Sequence, residues 1–249
     1  MSQSDEWIGG FHAVLAALED GRQKPFEILL ADSRNDDRSR KVRSLAQALN
    51  IPVQVMGRSD LDLKLPGFRH QGVLALIPQA ERVGEDVLHA PAEEGRLFLA
   101  LDGVQDPHNL GACLRTAEAA GATAVIVPRD RAASLTAVAR KVAAGSAERV
   151  PLVSVTNLSR TLAQLKERGY WLTGLAGDGE DTLYDVDLRG AAVLVLGAEG
   201  EGLRRLTRET CDRLVKIPMA GKAESLNVSA AAAVCLFEAW RQRNPRVRK

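Results

Sequence analysis

The chain has 249 residues, with 33 Lys and Arg against 32 Asp and Glu, 45% apolar and 26% charged side chains. This composition excludes disorder, collagen-like repeats and a disulfide miniprotein, and the length fits one large domain or two modest ones. The net charge of +1 advertises neither a nucleic acid nor a membrane surface, and 4% aromatics argues against a stacking surface for single strands.

Cys113, Cys211 and Cys235 form no C-x-x-C pair, and only four His accompany them. Neither a disulfide framework nor a metal set is expected; reduced thiols point to a cytoplasmic protein. The first six residues lack the basic stretch and apolar core of a signal peptide. The longest apolar run, 230–237, has eight residues, far below the ~20 of a membrane helix.

The predicted elements begin with Phe11, Val14, Leu15 and Leu18 at helical spacing, stopped by Gly21. Residues 26–31 (FEILLA) read as a buried strand. Val42, Leu45, Ala46 and Leu49 form a second helix stripe, and 53–56 and 73–77 (VLALI) are further strands. This predicts a small α/β domain over residues 1–78. Residues 79–95 carry Glu81, Glu85, Asp86, Glu93 and Glu94 against Arg82 alone, plus Pro91. They read as a linker, with a surface helix around Val87 and Leu88 as the alternative.

Residues 96–249 read as a larger α/β domain. Strands are predicted at 97–101 (LFLAL), 124–127, 152–155, 171–175, 193–196 and 214–217. Helices are predicted at 110–120 with Gly121 as stop, at 135–144, from a cap at Asn157 or Ser159 to Gly169, and at about 227–240. Continuous apolar strands alternating with helices imply a mostly parallel sheet covered on both faces.

Ligands in such sheets bind beyond the carboxyl ends of strands, and three strand ends carry unusual loops. The first runs from Asp102 to Gly111 into a helix bearing Arg115 and Glu118. Asn109 sits where a helix N-cap belongs, and capping alone is its simplest role. A guanidinium near the strand end, as at Arg115, can bind a phosphate bidentately. The second loop, Gly197-Ala-Glu-Gly200-Glu-Gly202, lets backbone approach a ligand closely. Its two Glu residues disfavour a pyrophosphate cradle; Glu199 is the better hydrogen-bonding candidate and Glu201 reads as solvated. The third follows Ile217 and contains Met219, Ser225, Leu226, Asn227 and Ser229. Gly221-Lys222 fails as a phosphate-binding P-loop because Ala223 replaces the Ser or Thr.

Taken together, Asn109-x-Gly111-x-x-x-Arg115, the Leu196–Gly202 loop and Ile217-Pro-Met…Ser225-Leu-Asn227-Val-Ser229 resemble the three motifs of the SpoU (TrmH-type) RNA ribose 2′-O-methyltransferases. Gly10-Phe-His12-Ala-Val14 and His70-Gln-Gly72-Val resemble the L30e-like substrate-binding domain of the same family. The resemblance implies a C-terminal α/β trefoil-knot (SPOUT) methyltransferase domain after an L30e-like RNA-binding domain. It implies a homodimer, S-adenosyl-L-methionine as methyl donor, no metal, and a guanosine ribose of 23S rRNA, in the peptidyl-transferase P loop, as substrate. Another rRNA or tRNA ribose, or a noncatalytic RNA-binding role, is the alternative.

By the same resemblance Arg115 binds the substrate phosphate and helps deprotonate the 2′-hydroxyl. A free guanidinium pKa above ~12 favours it as an electrostatic stabiliser of the developing alkoxide instead. Asn109 positions the ribose or Arg115, Glu199 orients them or their loop, and Ser225 and Asn227 hold substrate and pin the knot. Gly197, Gly200, Ile217, Met219 and Leu226 are the expected cofactor residues. Arg241, Arg243, Arg246, Arg248 and Lys249 are expected to reach phosphates together with Arg22, Lys24 and Arg69. The broad apolar coverage of the last helix, including Val234, Phe237 and Trp240, is expected to serve a subunit interface.

Overall fold

A computed structural model describes residues 5–20, 24–66, 69–78, 85–130, 132–221, 223 and 225–245. The elements are, in chain order, β1 (Glu6–Gly9), α1 (Phe11–Asp20), β2 (Glu27–Ala31), α2 (Asp37–Ala48), β3 (Val53–Met56), α3 (Arg58–Lys64) and β4 (Val73–Ile77), then a 3₁₀ turn (Glu85–His89). They continue with β5 (Leu97–Asp102), α4 (Pro107–Ala119), β6 (Ala124–Pro128), α5 (Ala137–Ala143), a second 3₁₀ turn (Ser146–Glu148), β7 (Leu152–Val155) and α6 (Leu158–Glu167). The last are β8 (Trp171–Leu175), β9 (Asp181–Thr182), β10 (Ala192–Gly197), α7 (Arg205–Thr210), β11 (Arg213–Lys216) and α8 (Val228–Arg243). The short elements β1, α3, β9 and α7 carry too few periodic residues to be read from the sequence. Gly21, the expected stop of the first helix, lies outside the described residues.

The chain divides into two units, residues 1–81 with 135–149, and residues 82–134 with 150–249. The first unit holds a four-stranded sheet in the order β1-β4-β2-β3, antiparallel except for β2 with β3. Phe11, Val14, Leu18, Val42 and Ala46 pack on one face against Ile28, Leu30, Val73 and Ala75, while Leu61 of α3 meets Leu29 and Leu74 on the other.

Residues 135–149 lie within the second region in sequence yet pack in the first unit. Gly145 has φ +92, and a Cβ there would stand 2.7 Å from the Ala16 Cβ on α1. Arg140 Nη1 donates to Glu148 Oε1 at 2.7 Å with both side chains buried. Burial pushes the Glu148 carboxyl above its ordinary value, opposed by the Arg140 charge.

The second unit holds a seven-stranded parallel sheet in the order β7-β6-β5-β10-β8-β11-β9. Every residue of β5 is buried, as an apolar run covered on both faces requires. On one face Phe98, Ile126, Val153 and Val193 pack against Leu158, Leu162 and Leu165 of α6. Helix α8 packs on α4 and β10. Residues 85–95, inside the expected connecting segment, contribute to this unit: Leu88 is buried in the same core, and the Tyr170 hydroxyl donates to the carbonyls of Ala90 at 3.4 Å and Pro91 at 3.3 Å. Residues 79–84 lie outside the described residues.

Candidate functional site

Strand order places the site. β5 and β10 are neighbours; β6 and β7 extend the sheet on one side, β8, β11 and β9 on the other. Their register pairs Gly197 with Asp102 at the carboxyl ends. The crevice between such diverging connections is where open α/β sheets bind ligands.

The β5–α4 loop is built from a local signal. Asp106 caps α4, its carboxylate accepting from the His108 N–H at 2.9 Å, with Pro107 in the first turn. That backbone donor is the main reason the Asp106 carboxyl is held below its ordinary value. This corrects the expectation that Asn109 is the cap: Asn109 lies three residues further, inside the first turn, with its amide left for other partners.

The β10–α7 loop turns back on its own strand. Gly202 N–H donates to the Ala198 carbonyl at 2.9 Å, and a Cβ on Gly197 would lie 2.0 Å from the Gly202 carbonyl carbon. Gly197 is therefore required by sterics. Gly200 and Gly202 have φ of +81 and +67, conformations that suit glycine. The buried Asp102 carboxylate accepts from the Arg204 N–H at 3.0 Å and pairs with its guanidinium, tying this loop to the end of β5.

The third loop ends at the cap of α8. Asn227 Oδ1 accepts from the Ser229 N–H at 2.9 Å and from the Ser229 hydroxyl at 2.6 Å. Asn227 Nδ2 donates to Asn109 Oδ1 at 3.0 Å, joining loops 118 residues apart. Asn109 and Glu199 line a cavity of about 220 Å³ with Gly103, Val104, Gln105, Asp106, Ala198, Glu201 and Val228.

The structure thus brings Asn109 to Asn227 by a direct bond and Asn109 to Glu199 across one cavity. Glu199 forms no hydrogen bond to Asn109 or Arg115 among the described residues. Arg115 is exposed on α4, and its side chain makes no hydrogen bond or ion pair among the described residues. Ser225 is likewise exposed. Gly197 and Gly200 flank Ala198 and Glu199 in the turn. Ile217, Met219 and Leu226 belong to a segment without regular secondary structure, with Met219 39% and Leu226 36% exposed.

Asp102, Asp106 and Arg204 carry no expected role in the sequence. Asp106-Pro107 is itself a cap-and-first-turn signature. Asp102, an acid ending an all-apolar strand, also marks a strand end that faces polar groups. Glu201, expected to be solvated, is exposed, but on the cavity wall.

The cavity carries three carboxylates, Asp106, Glu199 and Glu201, and no cationic side chain among the described residues. Such a wall favours a ligand with a positive centre. The thiols offer no nucleophile: burial pushes Cys113, Cys211 and Cys235 each up to about 12. Among the described residues no group of His, Cys, Asp and Glu has metal-ligand geometry.

Two family models match the chain: SpoU rRNA Methylase family over residues 96–237, and RNA 2′-O ribose methyltransferase substrate binding over residues 7–83. The chain is 52% identical to the 23S rRNA (guanosine-2′-O-)-methyltransferase RlmB of Pseudomonas aeruginosa, covering 98% of this chain and 99% of that protein. It is also 52% identical to the protein of the same name from Photobacterium profundum, over 96% and 99%. The SpoU methyltransferase AviRb from Streptomyces viridochromogenes, solved in complex with the cofactor AdoMet, superposes with TM-score 0.82 at 28% identity, over 96% of this chain and 90% of that one.

Proposed function

The chain belongs to the SpoU rRNA methylase family, and from that premise we propose that it transfers a methyl group from S-adenosyl-L-methionine to the 2′-oxygen of a guanosine in 23S rRNA. The peptidyl-transferase P loop is the proposed location. The observation that carries the reading is the Asn227-to-Asn109 bond beside an acidic cavity at the ends of β5 and β10. It joins two of the polar segments at the point where an α/β sheet takes its ligand.

The residues fit the methyl donor. Its sulfonium is cationic, matching a wall of Asp106, Glu199 and Glu201. Its adenine is apolar and edged with donors and acceptors, matching exposed Met219 and Leu226 and the irregular backbone around Ile217. Gly197 and Gly200 keep side chains out of the turn. When bound, S-adenosyl-L-methionine supplies an electrophilic methyl: the S–CH₃ bond breaks, an O–CH₃ bond forms, and the 2′-hydroxyl proton leaves to solvent or a protein acceptor.

The chain's own residues then orient and stabilise. Arg115 projects from α4 with its fork unengaged, so it can bind the substrate phosphate bidentately and offset negative charge developing on the attacking oxygen. Asn109 holds the ribose against the cavity, and Asn227 fixes Asn109. Glu199 on the wall accepts a hydrogen bond from the substrate, and Ser225, exposed ahead of α8, holds the substrate. Threading of the 217–227 segment as a trefoil knot, a homodimeric state and a cytoplasmic location belong to the same reading.

The test is single-turnover transfer of labelled methyl to 23S rRNA fragments, with the site mapped by 2′-O-methyl sequencing. Methylation of one P-loop guanosine is expected. Transfer to tRNA alone, or none to any RNA with cofactor bound, would reject the substrate or the enzymatic reading respectively.

A further inference from the structure

The polarity of the Asn109 amide follows from the cap of α8. An asparagine amide has an accepting oxygen and a donating nitrogen, and which end faces which partner must be argued from the network. The Ser229 backbone N–H is an obligate donor, so the Asn227 atom it meets at 2.9 Å is the oxygen. The Ser229 hydroxyl reaches the same oxygen at 2.6 Å. The other end of the Asn227 amide is then its nitrogen, and it stands 3.0 Å from one end of the Asn109 amide. Two nitrogens cannot share that bond, so the Asn109 atom there is its oxygen. The Asn109 nitrogen, with two N–H groups, is left over. It has no hydrogen-bond partner among the described residues, and Asn109 lines the cavity.

We infer that Asn109 acts on the substrate only as a hydrogen-bond donor, held in that polarity by Asn227 as a positioning residue. This rests on the methyltransferase reading above and deepens it. A donor at this place meets an oxygen lone pair of the RNA, on the ribose or its phosphate, and cannot accept the departing proton. Glu199, on the same wall, is of the opposite polarity. A group that both accepts and donates, as a hydroxyl does, is matched by the two together.

The polarity can be reversed without removing the cap. In Asn227→Asp one carboxylate oxygen still caps Ser229, because Asp and Asn are equivalent N-caps. The second oxygen now accepts, so the Asn109 amide must turn over to donate to it and present its oxygen to the cavity. Asn227→Asp is expected to keep the thermal midpoint and S-adenosyl-L-methionine affinity while lowering the single-turnover rate about 10²-fold, the scale of losing a preorganised donor. Asn109→Asp, which still accepts from Asn227 but offers an anion, should lose as much. Asn227→Ser, which keeps a cap but cannot reach Asn109, should fall between.

Side-chain amide NMR reads the same polarity without RNA: one Asn227 N–H protected from exchange and both Asn109 N–H exchanging freely, with the Asn109 pair gaining protection in Asn227→Asp. To separate oxygen sources, the cost of Asn109→Ala is compared on normal RNA and on RNA with one 2′-deoxyguanosine at the target. Non-additive binding losses assign the donor to the ribose, additive losses to a phosphate. Wild-type turnover in Asn227→Asp, or an Asn109 amide already protected in the native protein, would overturn the inference. Loss of midpoint, cofactor affinity and rate together would make Asn227 merely structural and overturn it too. An inactive wild-type chain with the expected amide pattern would instead sink the proposed reaction and leave the polarity standing.

Discussion

Arg115 is exposed and its side chain makes no hydrogen bond or ion pair among the described residues, so its removal disturbs little of the protein itself. Arg115→Ala is expected to cut single-turnover methylation by about 10²-fold or more, with cofactor affinity and thermal midpoint unchanged. Arg115→Lys should rescue little, because a point ammonium does not reproduce the planar fork. Near-native rates in Arg115→Ala would remove it from the site. Residues 109, 115 and 227 stand out through the resemblance of their spacing to the family's motifs, because polar side chains in loops at strand ends are ordinary on their own. Their partners do not: Asn109 looks like a cap until the Asp106 carboxylate is seen accepting from His108, and Asn227 caps α8 while also donating to Asn109, 118 residues away.

At the scale of elements, the turn after β10 and the last turns of α8 make separate predictions. In Gly197→Ala the added methyl meets the Gly202 carbonyl carbon at 2.0 Å and oxygen at 2.1 Å, and the Leu203 nitrogen at 2.3 Å. All three are backbone, so the turn itself must open. Loss of measurable cofactor binding, read by isothermal titration, is expected; unchanged affinity would free the turn from any ligand role. On α8, Glu238 accepts from Arg241 at 2.7 Å twice and from Gln242 at 2.8 Å. Chiefly through Arg241, this holds its carboxyl below the ordinary 4.5. A depressed folded value means stability present above the unfolded value and lost as pH falls through the folded one. Stability against denaturant should therefore fall below about pH 4.5, and Glu238→Gln should flatten that part of the profile; an unchanged slope would assign it to other carboxylates.

The basic end of α8 reads differently once folded. Arg241 is engaged by Glu238, and Arg243 donates to the carbonyls of Leu188 and Gly95 at 2.9 Å and of Gly190 at 2.8 Å. Both serve the fold, whereas the sequence offered them as phosphate contacts. Arg246, Arg248, Lys249 and Arg22 lie outside the described residues.

At the scale of the whole molecule, the prediction concerns assembly. Phe237 is 45% exposed, and its ring stands 6.3 Å from that of Trp240, with Val234 partly exposed on the same helix. An apolar strip of this kind is what the proposed subunit interface would cover. Sedimentation equilibrium at micromolar concentration is expected to give twice the 26.8 kDa chain mass, and Phe237→Glu to shift it toward one. A wild-type monomer would refute the dimer.

The sequence by itself determined the α/β class, the core strands, the mostly parallel sheet and the three polar segments. Each is written locally: continuous apolar runs such as 97–101, helical stripes such as Val42, Leu45, Ala46 and Leu49, and glycines at strand ends. Only the tertiary structure decided that β10 lies beside β5, that residues 135–149 pack in the first unit, and that Asn227 reaches Asn109. These are pairings across many tens of residues. Hydrophobic periodicity records which face of an element is buried, not which distant element buries it, and the polarity of an amide depends on the donor at its other end.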